Sequence, residues 1–375
     1  MTATTLNPHS PLAAQSLAET VNPATVLLEA VSGWHGKNWA GSTHLGYDCV
    51  AYVGVFCWVV MVLFCLGGLW VTWYRYAGPY TDDASEYWRE KGREVPGVSI
   101  VRPLKGIDPD MERNLSSTFQ QDYPTFEIVF TAERADDPAI PVVQTLMEAF
   151  PEVKARVVVS SRKVGINPKI NNIIDGVERT RYGILWMCDS NVWADPGCLA
   201  RSVYRLVHNG GKPVGIVHHL ILAKCPQSFG AWLETMFINT VHAKMYLAIN
   251  ATGAASCVVG KSNVYYKKQL EEVGGLESFS SYMAEDNTIA QFFWKRGWKH
   301  RMTADRAEQS LGVMTVRDYF VRRIRWTRTR KYNVTFATIV EPFTESILCG
   351  IFAAYSFHRL WQVPCLPFFL AHWVA

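Results

Sequence analysis

Between Cys49 and Trp73 the chain reads CVAYVGVFCWVVMVLFCLGGLWVTW, without one charged side chain. A helix of about 25 apolar residues can cross the roughly 30 Å hydrocarbon layer of a bilayer. A buried helix of a soluble protein is the competing reading, and the unbroken lack of charge weighs against it. Arg75, Arg89, Lys91 and Arg93 follow closely, whereas only Lys37 lies near the other end. The positive-inside rule therefore places the N-terminus outside the cytosol and everything after Arg75 within it. Residues 1–48 lack the basic start and short apolar core of a cleaved signal peptide, and they read as a disordered tail.

Composition supports a lipid-associated chain. Of the 375 residues 49% are hydrophobic and only 19% charged, which is little charge for a soluble protein of this size. A net charge of +4, with no DNA- or RNA-binding module, argues against nucleic acid as a partner. The nine cysteines form no CxxC pair, so neither a zinc site nor a disulfide framework is expected. Near the C-terminus, IFAAYSFHRLW is interrupted by His358 and Arg359, and a second apolar run after Pro364 ends at Ala375. Residues 317–342 read as a basic interfacial segment. Residues 343–375 read as an apolar membrane region that is cut short.

The middle of the chain, residues 96–316, has a different rhythm. Val98–Val101, Glu127–Phe130, Val157–Val159 and Ile184–Met187 are short β-rich runs, separated by helical stretches such as Pro109–Gln121 and Ala139–Ala149. That alternation predicts an α/β domain with a mixed, mainly parallel sheet flanked by helices. Asp108 before Pro109 predicts a helix start, with a capping carboxylate and then proline at the first position.

In such a sheet, ligands sit beyond the carboxyl ends of the strands, and four charged features fall there. Asp136-Asp137 follows the second strand and could accept hydrogen bonds from a base or sugar; a turn and helix cap is the competing reading. Asp189-Ser190-Asn191 follows the strand Ile184–Met187, where a carboxylate could hold a hard cation on a diphosphate or merely cap the loop. Glu285-Asp286 opens a helix whose apolar face is expected at Ile289, Phe292 and Phe293. These acids suit the helix dipole or a general base. Arg322-Arg323-Ile324-Arg325-Trp326 lies in a run with seven Lys/Arg among residues 317–331. Arg322 and Arg325, three apart on a helix, could meet a leaving diphosphate, or the run could lie on anionic headgroups.

Taken in order, these features resemble the GT-A glycosyltransferases that use nucleotide sugars, and the match to the ceramide glucosyltransferase family is closer still. It rests on PGVSIVRPLKGIDP, DYPTFEIVF, DDPAI, VGINPKINN, CDSN, NATG, MAEDN and RRIRW, spread over roughly residues 50–372. The resemblance implies that Asp137 belongs to the nucleotide pocket, Asp189 to a metal–diphosphate site and Asp286 to proton abstraction. It places Lys169 and His218 near the donor, and Arg322, Arg325 and Trp326 in the (Q/R)xxRW motif. It further implies a Mg²⁺ or Mn²⁺ cofactor, UDP-glucose and ceramide as substrates, and a Golgi or endoplasmic reticulum membrane. The product would be β-glucosylceramide, formed by inversion. A metal motif without a second carboxylate departs from the DxD pattern. A processive polysaccharide synthase and an inactive truncated scaffold are the alternatives; Arg rather than Gln at 322 disfavours the first. The sequons at Asn114, Asn250 and Asn333 are expected to stay unglycosylated in a cytosolic domain.

Overall fold

Each of the four β-rich runs forms a strand, because each alternates with a helix that can cover it. The computed structural model describes residues 45–76, 83–208, 210–211, 213–253, 255–333, 335 and 346–374. Strands β1 (Val98–Leu104), β2 (Phe126–Ala132), β3 (Ala155–Val159) and β4 (Ile184–Cys188) are parallel and lie in the order β3-β2-β1-β4. The sheet continues through β7 (Ser262–Tyr266), β6 (Val214–Pro226), β8 (Lys299–Gly312) and β5 (Val192–Trp193). Strand β7 runs antiparallel to both β4 and β6, whereas β6 and β8 are parallel. The winding direction reverses between β1 and β4, so the crevice beyond their carboxyl ends is where an α/β sheet binds ligands.

Helices cover both faces of this sheet. On one, α3 (Met111–Phe119), α4 (Ala139–Ala149) and α6 (Cys198–Val207) bury Leu115, Val143 and Leu199 against Ile100, Phe130 and Trp186. On the other, α5 (Pro168–Glu178) and α10 (Glu285–Lys295) bury Ile170, Ile173, Ile289 and Phe293 against Val101, Leu185 and Ile216. Phe292, expected on this apolar face, is instead 37% exposed, because the contact stripe follows Ile289 and Phe293.

Two local expectations are corrected. Helix α3 starts at Met111, with Asp110 in a left-handed conformation (φ 51°) at its N-cap and no side-chain cap. Asp108 accepts a hydrogen bond from the Ser190 hydroxyl instead, which draws the carboxyl end of β1 to that of β4. Residues 45–48 belong to helix α1 (Leu45–Val71) rather than to a disordered tail, while residues 1–44 lie outside the described residues.

The helical stretch Gly46–Tyr76 contains an 18-residue window of mean hydropathy 2.6 and is long and apolar enough to cross a membrane. Its far end packs on α12 (Ser346–Trp361), where Arg359 Nε donates to Asp48 Oδ1 at 2.8 Å. Helix α13 (Cys365–Val374) follows a short turn and joins the same cluster, with Trp58 Nε1 donating to His372 Nδ1 at 3.1 Å. Arg359, which interrupts an apolar run in the sequence, is therefore neutralised by a partner 311 positions away. At the near end Gly68 lies so close to α8 (Ala243–Thr252) that a Cβ would come within 2.7 Å of the Lys244 carbonyl oxygen. The apolar helix thus abuts the sheet domain directly.

Helices α7 (Phe229–Phe237) and α11 (Val316–Asn333) pack together beside the domain. They leave Trp232 (56%), Met236 (60%), Phe320 (56%) and Ile324 (50%) exposed. Residues 336–345 of the expected interfacial and membrane segments are outside the described residues, as is the side chain of Asn333. Asn114 is fully buried, with its amide donating to the Pro109 carbonyl at 3.0 Å.

Candidate active site

The segment VGINPKINN organises the crevice. Asn167 caps α5, its Oδ1 accepting from the backbone N–H of Lys169 (2.8 Å) and Ile170 (3.3 Å), and Pro168 takes the first helical position. The same side chain donates from Nδ2 to Glu285 Oε2 at 2.8 Å, tying α5 to the start of α10. Asn172 donates to the Leu104 carbonyl at 2.8 Å and fixes the end of β1. Lys169 is thereby held in the crevice with three acceptors: Asp189 Oδ1 at 3.0 Å, Glu285 Oε1 at 3.2 Å and the Gly260 carbonyl at 3.2 Å.

Asp189 sits at the tip of β4, as the sequence requires of a strand-end carboxylate. Its other oxygen lies 2.9 Å from Lys261 Nζ, and Lys261 also donates to Asn191 Oδ1 at 3.0 Å. Burial by itself would raise the Asp189 pKa, but Lys169 and Lys261 outweigh it and hold the group at about 2. Asp286 shows the opposite balance. Burial, and then the neighbouring Glu285 carboxylate, push it up to about 6 against the pull of Lys169. One crevice therefore holds a permanently ionised acid and an acid poised to exchange a proton near neutral pH, a pattern typical of acid–base chemistry.

Asp137 follows β2. Its Oδ1 accepts from the backbone N–H of Ala139 at 2.9 Å, and both oxygens lie 3.1 Å from the backbone nitrogen of Gly106, which adopts φ +68°. In this arrangement Asp137 caps α4 and pins the Lys105–Gly106 loop after β1, so it shapes the crevice rim. His218 is fully buried on β6, hydrogen-bonded through Nδ1 to the Tyr246 hydroxyl. Burial, and then the adjacent His300 and His219, keep it neutral. It has no exposed surface.

The basic motif lies on α11. Arg322 Nε and Arg323 Nη2 converge on Glu234 Oε1 of α7, at 2.8 Å and 2.7 Å, and Glu234 is fully buried. Trp326 lies beneath both guanidinium groups, with ring centroids 5.3 Å from Arg322 and 4.5 Å from Arg323. Arg325 is exposed. Arg322 and Arg325 thus do not act as a matched pair: one is anchored inward, the other is left to solvent. Burial lowers the Arg322 pKa, opposed chiefly by the Glu234 carboxylate.

Several participants escape a motif reading. Lys261 carries only a weak sequence signal, a lysine after Gly260 at the start of a β-rich run. Arg102 is a lone charge inside the apolar strand VSIVRPL, and that oddity could have found it. It is fully buried, and its Nη2 donates to the carbonyls of Ser190 (3.1 Å) and Val192 (2.9 Å), bracing the loop that carries Asp189. Glu234, a single acid in an apolar helix, gave the same kind of signal.

The chemistry of the donor set suits a hard divalent cation, since Asp189 and Asn191 offer oxygen ligands and a diphosphate would supply more. A cation there must compete with the two ammonium groups already on Asp189. Among the described residues one other group, Cys198, His219 and Asp305, could enclose an ion. It does not suit one: Arg201 Nε donates to both Asp305 oxygens at 3.0 and 3.1 Å, and burial, followed by Asp305, keeps the Cys198 thiol protonated.

With this geometry in place, comparison with known proteins decides the family. The sequence profile of glycosyl transferase family 21 matches residues 56–375. The chain belongs to glycosyl transferase family 21. Similar proteins include the ceramide glucosyltransferase of Komagataella phaffii, 38% identical over 71% of this chain and 63% of that protein. The Candida albicans ceramide glucosyltransferase is 30% identical over 74% of this chain and 70% of that one. Ceramide glucosyltransferase 1 of Caenorhabditis elegans is 29% identical over 94% and 75%. The chain therefore spans 63% of the length of the Komagataella relative, short of two thirds. Among solved structures, the mannosyltransferase PcManGT from Pyrobaculum calidifontis, in complex with GDP-Man and Mn²⁺, matches with a TM-score of 0.54. Identity is 18%, over 87% of this chain and 86% of that one, and the likeness extends to the glycosyltransferase fold.

Proposed function

We propose that this family 21 transferase moves glucose from UDP-glucose to the primary hydroxyl of ceramide, with inversion, to give β-glucosylceramide. The observation that carries the reading is the pairing of Asp286, raised to about 6, with the ionised Asp189 in one crevice at the sheet's switch point. The names of the relatives point to glucose and ceramide as the transferred group and the acceptor.

Asp286 accepts the proton as the ceramide hydroxyl attacks the anomeric carbon, a task suited to a carboxylate whose pKa lies near the working pH. Lys169 holds Asp189 and Glu285 in place and preserves the charge pattern around the base. Asp137 shapes the nucleotide side of the crevice through the Lys105–Gly106 loop, and His218 supports it from below. Arg325, exposed on α11, meets the departing diphosphate, while Arg322 and Trp326 hold that helix in register. A Mg²⁺ or Mn²⁺ ion bound at Asp189 would supply Lewis-acid stabilisation of the leaving group.

Location completes the reading. The 46–76 helix crosses the membrane with its N-terminus lumenal, the sheet domain faces the cytosol, and α7 and α11 seat their exposed apolar side chains in the headgroup layer of a Golgi or endoplasmic reticulum membrane. The soluble donor and the lipid acceptor then meet at one surface.

Membranes bearing the chain, incubated with labelled UDP-glucose and a short-chain ceramide, test this directly. A labelled, organic-soluble β-glucoside is expected. A labelled polymer would assign a polysaccharide synthase instead, and bound UDP without transfer would assign an inactive scaffold.

A further inference from the structure

The Asp189 carboxylate meets two ammonium groups, and the two lysines differ in how they are committed. Lys169 has three N–H donors and three protein acceptors: Asp189, Glu285 and the Gly260 carbonyl. Lys261 has two, Asp189 and Asn191. Its backbone is fixed, with Lys261 N–H bonded to the Val259 carbonyl at 2.9 Å and its own carbonyl accepting from Asp189 N–H at 3.0 Å. The side chain therefore rises from a rigid platform beside β4, and it retains 15% exposure. A flexible four-carbon stem lets its ammonium change partners over a few ångströms without moving that platform.

We propose that Lys261 is a diphosphate-binding residue of the donor site, exchanging an oxygen of Asp189 for a phosphate oxygen when the nucleotide sugar binds. This rests on the nucleotide-sugar reading above. The exchange keeps the ammonium paired throughout and releases an oxygen of Asp189 at the moment a diphosphate arrives. Lys169, whose partners lie on three elements, stays in place as the bridge between Asp189 and Glu285. Lys261 then faces the anionic donor, while Lys169 stays paired with Glu285 beside Asp286.

The test measures UDP and uridine binding to the full chain in lipid nanodiscs by titration calorimetry. Lys261→Met is expected to weaken UDP roughly 10- to 100-fold, the effect of losing one charge-assisted hydrogen bond, while uridine is unchanged. Lys261→Arg, which keeps the charge, should recover most of the loss. The salt dependence of UDP binding should become shallower in Lys261→Met. Equal weakening of UDP and uridine would overturn the inference, as would UDP affinity within twofold of wild type. If Lys261 merely masked Asp189, Lys261→Met/Asp189→Asn would regain the preference for UDP over uridine; that result would also overturn it. Failure of the wild-type chain to bind UDP would remove the donor reading itself, an outcome distinct from wild-type binding that survives loss of Lys261.

Discussion

Gly260 and Asp286 touch so closely that a Cβ at position 260 would lie 2.0 Å from the Asp286 carboxylate oxygen. Glycine is required here by the space that the acid occupies. Its carbonyl meanwhile accepts from Lys169, so one residue locates both the Asp286 carboxylate and the ammonium beside it.

Gly260→Ala should therefore displace the base while leaving the sheet intact. Turnover is expected to fall on the order of 100-fold, since a displacement of about 1 Å can cost that much, with UDP affinity changed far less. Steady-state kinetics alongside UDP titration checks this; an alanine variant with full kcat would show that the Asp286 position does not matter.

The pH profile follows from Asp286. With its pKa raised to about 6, the group is protonated and inert as a base at lower pH and ionised above it, so kcat/KM should rise through about pH 6 and then level. Asp189, held at about 2, stays ionised across that range and contributes no slope. Asp286→Asn should abolish turnover and spare donor binding. A profile flat from pH 5 to 8 would remove Asp286 from the role of base.

Asn167 offers a sign test of the same electrostatics. Asn167→Asp keeps a good helix cap but sets a second carboxylate against Glu285, now 2.8 Å from the Asn167 amide. Added negative charge favours the protonated form of Asp286, so the rising limb should move to higher pH. Asn167→Ala removes the cap without adding charge; it should cost about 1 kcal/mol of stability and leave the limb where it was.

Glu234 anchors α11 through two arginines. Glu234→Ala removes the buried carboxylate that two half-buried guanidinium groups share, and the loss should approach the roughly 3–5 kcal/mol of breaking a buried pair. A clear drop in melting temperature is expected, with transfer activity falling because Arg325 rides on the same helix. Glu234→Gln should be milder. Thermal unfolding of both variants decides it, and an unchanged melting temperature in Glu234→Ala would mean that α11 is held by its apolar contacts alone.

The sequence was legible where one physical demand dominates. An uncharged run must be helix and avoid water, so α1 was plain, and the alternation of β-rich and helical runs gave the parallel half of the sheet. Asp189 was readable because a polar residue ending a buried strand has few other places to be. Pairings across long separations were not readable. Nothing near Asp108 tells it to accept from Ser190 rather than cap α3, and nothing near Arg322 announces Glu234. Arg322 and Arg325 share a spacing but not an environment, because Glu234 lies close to only one of them. Lys261 stayed hidden for a similar reason: its role depends on β7 lying beside β4, and the antiparallel insertion of β7 is a property of the whole sheet.

The bridge from Asp48 to Arg359 has a consequence for how the chain is made. Helix α1 leaves the ribosome early, yet the residues it grips with its far end are synthesised about three hundred positions later, when most of the sheet domain already exists. Until then Asp48 lacks its Arg359 partner, and Trp58 lacks its edge-to-face partner Phe357. The helical cluster thus assembles after the sheet domain, and it closes that domain into a loop whose two ends are clasped together. A nascent chain stalled before α12 would hold a finished sheet on an unfinished stalk.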